Sequence, residues 1–322
     1  MSFKDIKGQD KAVSFLKSVL ENNRFSQAYI FFGPNGVGKK LTALNFAKAF
    51  NCAIPVGQRP CDACVSCRKI DASNHPDVFL LVPEKEDASI KIDQVREVIK
   101  NISLKAYEAR KKVYIIDDAH LMTPEAQNAL LKTLEEPPSD SVLILITDNM
   151  ESLFSTIVSR SQVVKFFPFA VAEVKDILTQ VYKIDAVKAH ILAHISSGML
   201  GEALRQNDED FFKKRSRIIK GLEDRTFFDW EFEGLSRPDL KLYLDVMLTW
   251  YRDILIAKTG LTEEAAFVNI DKRDAVLNEA ARADFAFLDS IIKQIISTNS
   301  FLEQNANPKL AMSVLGLQIT GN

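Results

Sequence analysis

The sequence lacks a long apolar run and a strong excess of either charge. The longest aliphatic run covers only residues 142–146, far too short to cross a bilayer, and the first ten residues lack the apolar stretch of a secretory signal. Lys and Arg total 41 against 43 Asp and Glu, a formal net charge of −2. The near-neutral balance excludes a globally basic nucleic-acid-binding protein. We therefore expect a cytoplasmic protein with no membrane partner.

Cysteine is also scarce, and all of it lies in one short segment. The spacing of the four cysteines is C-x8-C-x2-C-x2-C, at Cys52, Cys61, Cys64 and Cys67. Because the cytoplasm keeps thiols reduced, this concentration indicates a metal site before disulfides. Four thiolates suit tetrahedral Zn²⁺ and leave no open coordination position, so we predict a structural zinc. An iron–sulfur cluster is the competing hypothesis, and redox disulfides are a third.

Two other groups of residues carry no predicted chemistry. His75, His120, His190 and His194 form no cluster in the sequence, and we interpret each as a structural or surface residue. The aromatic-rich stretch RTFFDWEF, residues 225–232, is more typical of helix packing than of a base-stacking platform.

The 322 residues suffice for two or three domains. Short apolar runs alternate with longer helical stretches in the first half, and we predict strands at residues 29–33, 78–82, 113–117, 142–146 and 163–166. Strands separated by helices predict a parallel sheet with crossover helices, the α/β fold class. Beyond Pro168 apolar residues recur at helical spacing, which predicts three short helices and then a helical remainder.

The segment GPNGVGKK fits a phosphate-binding loop as far as its first lysine. Gly33, Gly36 and Gly38 would let backbone N–H groups close around phosphate oxygens, and Lys39 would reach the terminal phosphates. The next position should be Ser or Thr, whose hydroxyl ligates Mg²⁺, but it is Lys40. Since a cation cannot ligate a cation, we expect ATP and Mg²⁺ binding to be weak or absent.

Two acidic residues follow the predicted strand at 113–117. A P-loop ATPase carries here an acidic metal ligand and then a glutamate that acts on the attacking water. Asp117 stands at the first position, and Asp118 is one methylene shorter than that glutamate. Because proton abstraction depends on hydrogen-bond reach, the shorter side chain is a second feature against hydrolysis. The alternative is two solvated acids that end a strand.

Taken in order, these segments resemble the bacterial DNA polymerase III clamp-loader subunits, which are AAA+ proteins. The most specific stretch is DDAHLMTPEAQNALLKTLEEPP, residues 117–138. LITDN is similar to the family's first sensor motif, with Thr147 at the sensing position. STIVSRS resembles the Ser-Arg-Cys motif, with Arg160 at the arginine and Ser161 in place of the cysteine. The resemblance covers nearly all of the first 205 residues and is weak beyond them.

The resemblance implies a three-domain organisation. An α/β AAA+ P-loop domain with a parallel sheet would cover residues 1–166 and include a zinc module at 52–67. A small three-helix lid domain would cover 167–206, and a helical C-terminal collar domain, used for oligomerisation, would cover 207–322.

The resemblance also implies partners and a role. Family members assemble with a delta subunit and with gamma or tau motor subunits, and the complex opens the sliding clamp and places it on primed DNA. In the motor subunits the lid carries an arginine that contacts the γ-phosphate, but this chain has Gly201 there. Together with Lys40 and Asp118, this departure implies a stator without its own ATP turnover. Arg160 would then act in trans, as an arginine finger for a neighbouring subunit.

Three alternatives remain open on the sequence alone. Arg160 could be a surface arginine that closes a helix through its terminal carbonyls. The chain could be an ATP-hydrolysing motor subunit of the same loader. It could also be a zinc-containing DNA-binding regulator, although no DNA-reading helix is recognisable after the cysteines.

Overall fold

The computed structural model describes residues 3–84, 89–136, 140–224, 235–261, 263, 266–304 and 306–320. The chain forms two compact units. The first covers the chain up to residue 169 together with residues 199–201, and the second covers residues 170–198 together with the chain from residue 202 onward. The aromatic-rich stretch at 225–232 and the last two residues of the 117–138 motif lie outside the described residues. The predicted division into three domains at 166 and 206 stays a prediction.

The first unit is built on a parallel five-stranded sheet. Its strands are β1 (Ala28–Phe32), β2 (Val78–Leu81), β3 (Lys112–Ile116), β4 (Ser141–Thr147) and β5 (Gln162–Lys165). They lie in the order β2-β3-β4-β1-β5. Every predicted strand is confirmed within one residue at each end, and with them the α/β fold class. The continuous apolar runs of β3 and β4 follow from burial on both faces of the sheet.

Among the described residues, the α-helices that lie wholly within this unit are α1 (Asp10–Glu21), α2 (Lys39–Asn51), α3 (Val65–Asp71), α4 (Ile92–Ile102), α5 (Pro124–Glu135) and α6 (Ser155–Ser159). Alternate side chains of β1 enter the two apolar layers on either side of the sheet. Tyr29 and Phe31 join one layer, and Ile30 joins the other. Because β1, β3 and β4 are parallel, their carboxyl ends bring Gly33, Asp117 and the residues after Thr147 to one edge of the sheet.

A buried carboxylate holds the loop between α4 and β3. Asp77 is 2 % exposed, and its oxygens accept backbone N–H groups from Tyr107, Glu108 and Ala109 at 2.8 to 3.0 Å. Burial alone would raise the pKa of Asp77, but these hydrogen bonds lower it below its ordinary value. The loop is therefore fixed from inside the protein.

The second unit contains helices and no strand among its described residues. Its helices are α7 (Val171–Gln180), α8 (Ala186–Ile195), α9 (Leu200–Arg205, which begins in the first unit), α10 (Glu209–Glu223), α11 (Arg237–Lys258), α12 (Arg273–Arg282), α13 (Phe285–Glu303) and α14 (Pro308–Thr320). Apolar residues of α11 and α13, including Trp250 and Ile291, form its core. His190 is buried, with Nε2 at 2.7 Å from the carbonyl oxygen of Phe267, in keeping with a structural histidine. No helix within the described ranges has the length and apolarity to span a bilayer.

Candidate functional site

The predicted phosphate-binding loop connects the end of β1 to the start of α2. Gly36 and Gly38 have φ angles of 79° and 94°, in the left-handed region that favours glycine. Gly38 directly precedes α2, and no side chain caps that helix end. The backbone N–H of Gly33 donates to the carbonyl oxygen of Thr147 at 3.2 Å. The structure thus brings the predicted glycines and the predicted sensor residue to the same sheet edge.

Lys39 is buried inside this loop. Its Nζ donates to the carbonyl oxygens of Gly33 and of Pro34, the latter at 2.8 Å, and to Asn35 Oδ1 at 3.3 Å. Burial lowers the pKa of the Lys39 ammonium, while the nearby aspartates raise it. The ammonium group is therefore engaged by oxygen atoms of the same loop that is predicted to bind phosphate.

Lys40 pairs with the carboxylate that the sequence predicts as a metal ligand. Lys40 Nζ lies 3.2 Å from Asp117 Oδ2, and their side chains are 46 % and 17 % exposed. The nearest hydroxyl along the helix, Thr42, is buried and donates to the carbonyl oxygen of Gly38 at 2.9 Å. Thr42 is therefore engaged within its own helix and does not replace the missing ligand.

Asp118 and Thr147 complete the set of predicted nucleotide-site residues. Asp118 has a φ of 50° and precedes a short turn of helix. Burial, and then the charge of Asp117, raise the pKa of Asp118. Thr147 is fully buried, and its hydroxyl donates to the carbonyl oxygen of Asn149 at 2.9 Å. It also lies 3.5 Å from His120 Nδ1, so this histidine belongs to the site.

Sequence reasoning missed Asp148, which links the loop to the sensor side of the site. Asn35 Nδ2 donates to Asp148 Oδ2 at 2.9 Å, and Asp148 Oδ1 lies 3.2 Å from His120 Nδ1. The available signal was its position directly after Thr147, where a parallel strand ends at the ligand-binding edge. The site therefore has three aspartates near Lys39, of which the sequence predicts Asp117 and Asp118.

Gly201, which stands where the resemblance implies an arginine in the motor subunits, contacts the predicted phosphate-binding loop directly. Its backbone N–H donates to the carbonyl oxygen of Gly36 at 2.8 Å. A Cβ atom added to Gly201 would lie 2.9 Å from that same oxygen, closer than real Cβ contacts. A side chain at position 201 would therefore displace the loop.

Arg160 directly follows α6 and forms two contacts at the ends of helices. Nη1 donates to the carbonyl oxygen of Thr156 at 3.2 Å, and Nη2 donates to Glu135 Oε1 at 3.0 Å. The Arg160 side chain is 38 % exposed. An arginine that closes a helix makes a contact of the kind that Arg160 makes with Thr156. The partial exposure of the side chain also leaves N–H donors of the guanidinium accessible to a partner.

The four cysteines converge into one cluster. Their sulfur atoms all lie within 4.8 Å of one another, with Cys52 and Cys67 buried and Cys61 and Cys64 partly exposed. Four thiolates at Zn–S distances of about 2.3 Å in a tetrahedron stand about 3.8 Å apart, so the donor set fits a single metal ion. The cluster could hold a metal, as the spacing predicts.

The local backbone explains how the cluster forms. Cys52 ends α2 and Cys64 precedes α3, which carries Cys67. The N–H of Cys64 donates to Cys61 Sγ at 3.3 Å. Burial opposes ionisation of Cys64, but backbone N–H groups, including that of Ala53, lower the pKa of its thiol to about 6. Backbone N–H groups likewise lower the pKa of the Cys61 thiol, whereas burial raises the pKa of the Cys52 and Cys67 thiols. The loop backbone thus favours the thiolate form that a metal requires at Cys61 and Cys64.

Comparison with known proteins places this architecture in a family. Residues 8–170 match the family described as DNA polymerase III, delta subunit, and residues 209–320 match its C-terminal family, DNA polymerase III, delta subunit, C terminal. The DNA polymerase III subunit delta' of Bacillus subtilis is 30 % identical over 97 % of this chain and 96 % of its own length.

Two further likenesses are more distant. The DNA polymerase III subunit tau of Bacillus subtilis is 28 % identical over 90 % of this chain and 57 % of its own length. A solved DNA polymerase III gamma subunit-related protein of Thermotoga maritima is 19 % identical, with a TM-score of 0.43 over 95 % of this chain and 98 % of that one. The family matches cover residues of both units. This chain belongs to the DNA polymerase III delta' family of clamp-loader subunits.

Proposed function

We propose that this chain is the stator of a bacterial clamp loader, a subunit that helps to place the sliding clamp on primed DNA without hydrolysing ATP itself. It would assemble with a delta subunit and with gamma or tau motor subunits, and would reach the clamp and the DNA through that complex. The delta' relative, matched over almost its whole length, supports this assignment. Residues 1–166, 167–206 and 207–322 would serve as P-loop, lid and collar domains.

The pairing of Lys40 with Asp117 at 3.2 Å is the observation that carries the proposal. A hydrolysing site needs Asp117 to hold Mg²⁺ beside the phosphates. Here a cation of the chain itself contacts that carboxylate, and the helix supplies no hydroxyl in its place. Asp118 and Gly201 add a shortened base and a missing arginine. The site therefore favours a subunit that relies on its neighbours for hydrolysis.

Arg160 is the group that would act on a neighbour. A guanidinium that approaches the transferring phosphoryl group from an adjacent subunit stabilises the negative charge that develops there. Arg160 is partly exposed, and its two contacts to Thr156 and Glu135 hold the side chain at the end of α6. This placement supports a finger in trans, supplied to the site of a motor subunit.

The metal in this proposal is a structural zinc. Cys52, Cys61, Cys64 and Cys67 would hold it, and the bound ion would cross-link the loop between α2 and α3. No step of the clamp-loading reaction depends on it.

Reconstitution tests the proposal. The chain is mixed with the delta and motor subunits of the same bacterium, and the product is analysed by size-exclusion chromatography and native mass spectrometry. We expect a stable complex whose ATPase responds to clamp and primed DNA only when this chain is included. A chain that stays out of the complex would refute the stator role. A chain that alone hydrolyses ATP at about one per second or faster would favour the motor subunit.

A further inference from the structure

The buried ammonium group of Lys48 connects α2 to the cysteine loop. Lys48 lies in the second half of α2, and its side chain is 1 % exposed. Its Nζ lies 2.6 Å from Asp62 Oδ1 and 2.9 Å and 3.2 Å from the two carboxylate oxygens of Asp71. A buried lysine is rare unless it is paired, so the two aspartates account for its burial.

The two aspartates belong to the two segments that present cysteines. Asp62 directly follows Cys61 in the turn that leads to Cys64, and its φ of 57° lies in the left-handed region. Asp71 is the last residue of α3, the helix that contains Cys67. Lys48 thus fixes both segments to one point.

The remaining sulfur is tied to the same helix. Cys52 directly follows the last residue of α2, the helix that carries Lys48. Lys48 therefore ties both of these cysteine-bearing segments to α2 through its ion pairs with Asp62 and Asp71. A neutral residue at position 48 would remove a positive charge from beside two carboxylates and near four sulfur atoms, which become anionic when they bind a metal.

We propose that Lys48 is a positioning residue for the metal site, which holds the cysteine loop against α2 and thereby slows the release of the metal. This inference rests on the proposed zinc assignment. Partners that orient metal ligands affect metal affinity by about 10- to 100-fold when they are removed. The same range is expected for the rate at which Lys48→Met loses its metal.

The experiment compares the full-length wild type with Lys48→Met, Lys48→Arg and a matched control, Lys69→Met. Lys69 lies on α3 and pairs with Glu108 at 2.7 Å, outside the cysteine loop, with its side chain 36 % exposed. Zinc release to an excess of a coloured chelator is followed at 25 °C, and circular dichroism monitors the fold in parallel. We expect release about 10- to 100-fold faster from Lys48→Met, a rate within about threefold of wild type from Lys48→Arg, and an unchanged rate from Lys69→Met.

A spectroscopic readout separates positioning from general destabilisation. With Co²⁺ in place of Zn²⁺, we expect Lys48→Met to show a weaker thiolate-to-metal absorption than the wild type at equal cobalt content and with an intact circular dichroism spectrum. If Lys48→Met does not fold, Asp62→Asn removes one ion pair and should speed release about tenfold.

The outcomes of these measurements are distinguishable. A wild type that takes up neither Zn²⁺ nor Co²⁺ would refute the zinc assignment itself, and the role of Lys48 with it. A wild type that holds zinc, with Lys48→Met releasing it within about twofold of the same rate, would overturn only the role of Lys48. Faster release from Lys69→Met to the same degree would also overturn it.

Discussion

Arg160 and Glu135 form an ion pair between the ends of two helices, with Nη2 of the arginine 3.0 Å from Oε1 of the glutamate. The guanidinium is thereby held at the end of α6 by a carboxylate from the end of α5 and by the carbonyl oxygen of Thr156. Because the guanidinium is held in place and yet partly exposed, substitutions of Arg160 and of Glu135 can test the proposed finger.

The first prediction concerns Arg160→Ala. In the reconstituted loader we expect a complex that assembles and binds ATP normally but loses hydrolysis at the one interface that Arg160 serves, by about a thousandfold at that site. Residual activity from the other motor subunits is expected. Arg160→Lys should restore little, because an ammonium keeps the charge without the planar fork. The measurement is clamp- and DNA-stimulated ATPase, and full activity of Arg160→Ala would leave only a helix-closing role.

The second prediction concerns Glu135→Gln. In the proposed role of Arg160, the carboxylate of Glu135 would compete with a neighbour's phosphate for the guanidinium, so its neutralisation should raise stimulated ATPase. Exposed ion pairs contribute at most about 1 kcal/mol, which limits the increase to about fivefold. The measurement is the same stimulated ATPase assay. A fall of tenfold or more would mean that Glu135 orients Arg160 rather than competing for it.

The third prediction concerns the chain's own nucleotide site. We expect the isolated protein to hydrolyse ATP negligibly, because Lys40 pairs with Asp117 and provides no hydroxyl for Mg²⁺. Lys40→Thr should make nucleotide binding stronger in the presence of Mg²⁺ than in EDTA, as measured by titration with a fluorescent ATP analogue. Lys11→Thr, on α1, is the control. Equal binding with and without Mg²⁺ in Lys40→Thr would show that Lys40 is not what excludes the metal.

The fourth prediction concerns the metal. Purified protein should contain one zinc per chain by elemental analysis, and Cys64→Ser should lower that content while the circular dichroism of the sheet persists, since all four ligands lie in one loop and its borders. Less than about half an equivalent of zinc, or iron in its place, would contradict a structural zinc site with four thiolates.

The fifth prediction concerns Asp77 and pH. The pKa of Asp77 is lowered in the folded chain, so its carboxylate stabilises the fold above its unfolded pKa of about 3.9, and that stability is lost as pH falls through the folded value. Asp77→Asn should lower the free energy of unfolding at pH 7 by about 1–3 kcal/mol. The difference between the two proteins, measured by urea unfolding, should narrow below about pH 4. A constant difference down to pH 3 would argue against the charged form as its source.

Much of the fold could be predicted because buried parallel strands are continuous apolar runs. Residues 142–146 indicated β4, and the structure extends it by one residue at each end. The cysteine spacing likewise predicted the cluster, because its members lie close in the chain. Local patterns of this kind can be recognised without knowing how distant segments pack.

The contacts that distinguish this site could not be predicted in the same way. The pairing of Lys40 with Asp117 joins α2 to the end of β3, and the spacing of residues within either element says nothing about it. Lys48 is one of three lysines in the segment that forms α2, and only the fold of the cysteine loop places Asp62 and Asp71 beside it. Glu135 is a further example, since its partner Arg160 directly follows a different helix, α6.

The contact between Gly201 and Gly36 also bears on the evolutionary history of the chain. Because a Cβ at position 201 would lie 2.9 Å from the Gly36 oxygen, a single substitution could not place an arginine there while the loop keeps its present path. Under the proposed stator role, an ATP-hydrolysing descendant would therefore first need a change that moves the loop, and that change alone would bring no gain in activity. The close approach of the two backbones would make the gain of ATP hydrolysis a route of several steps.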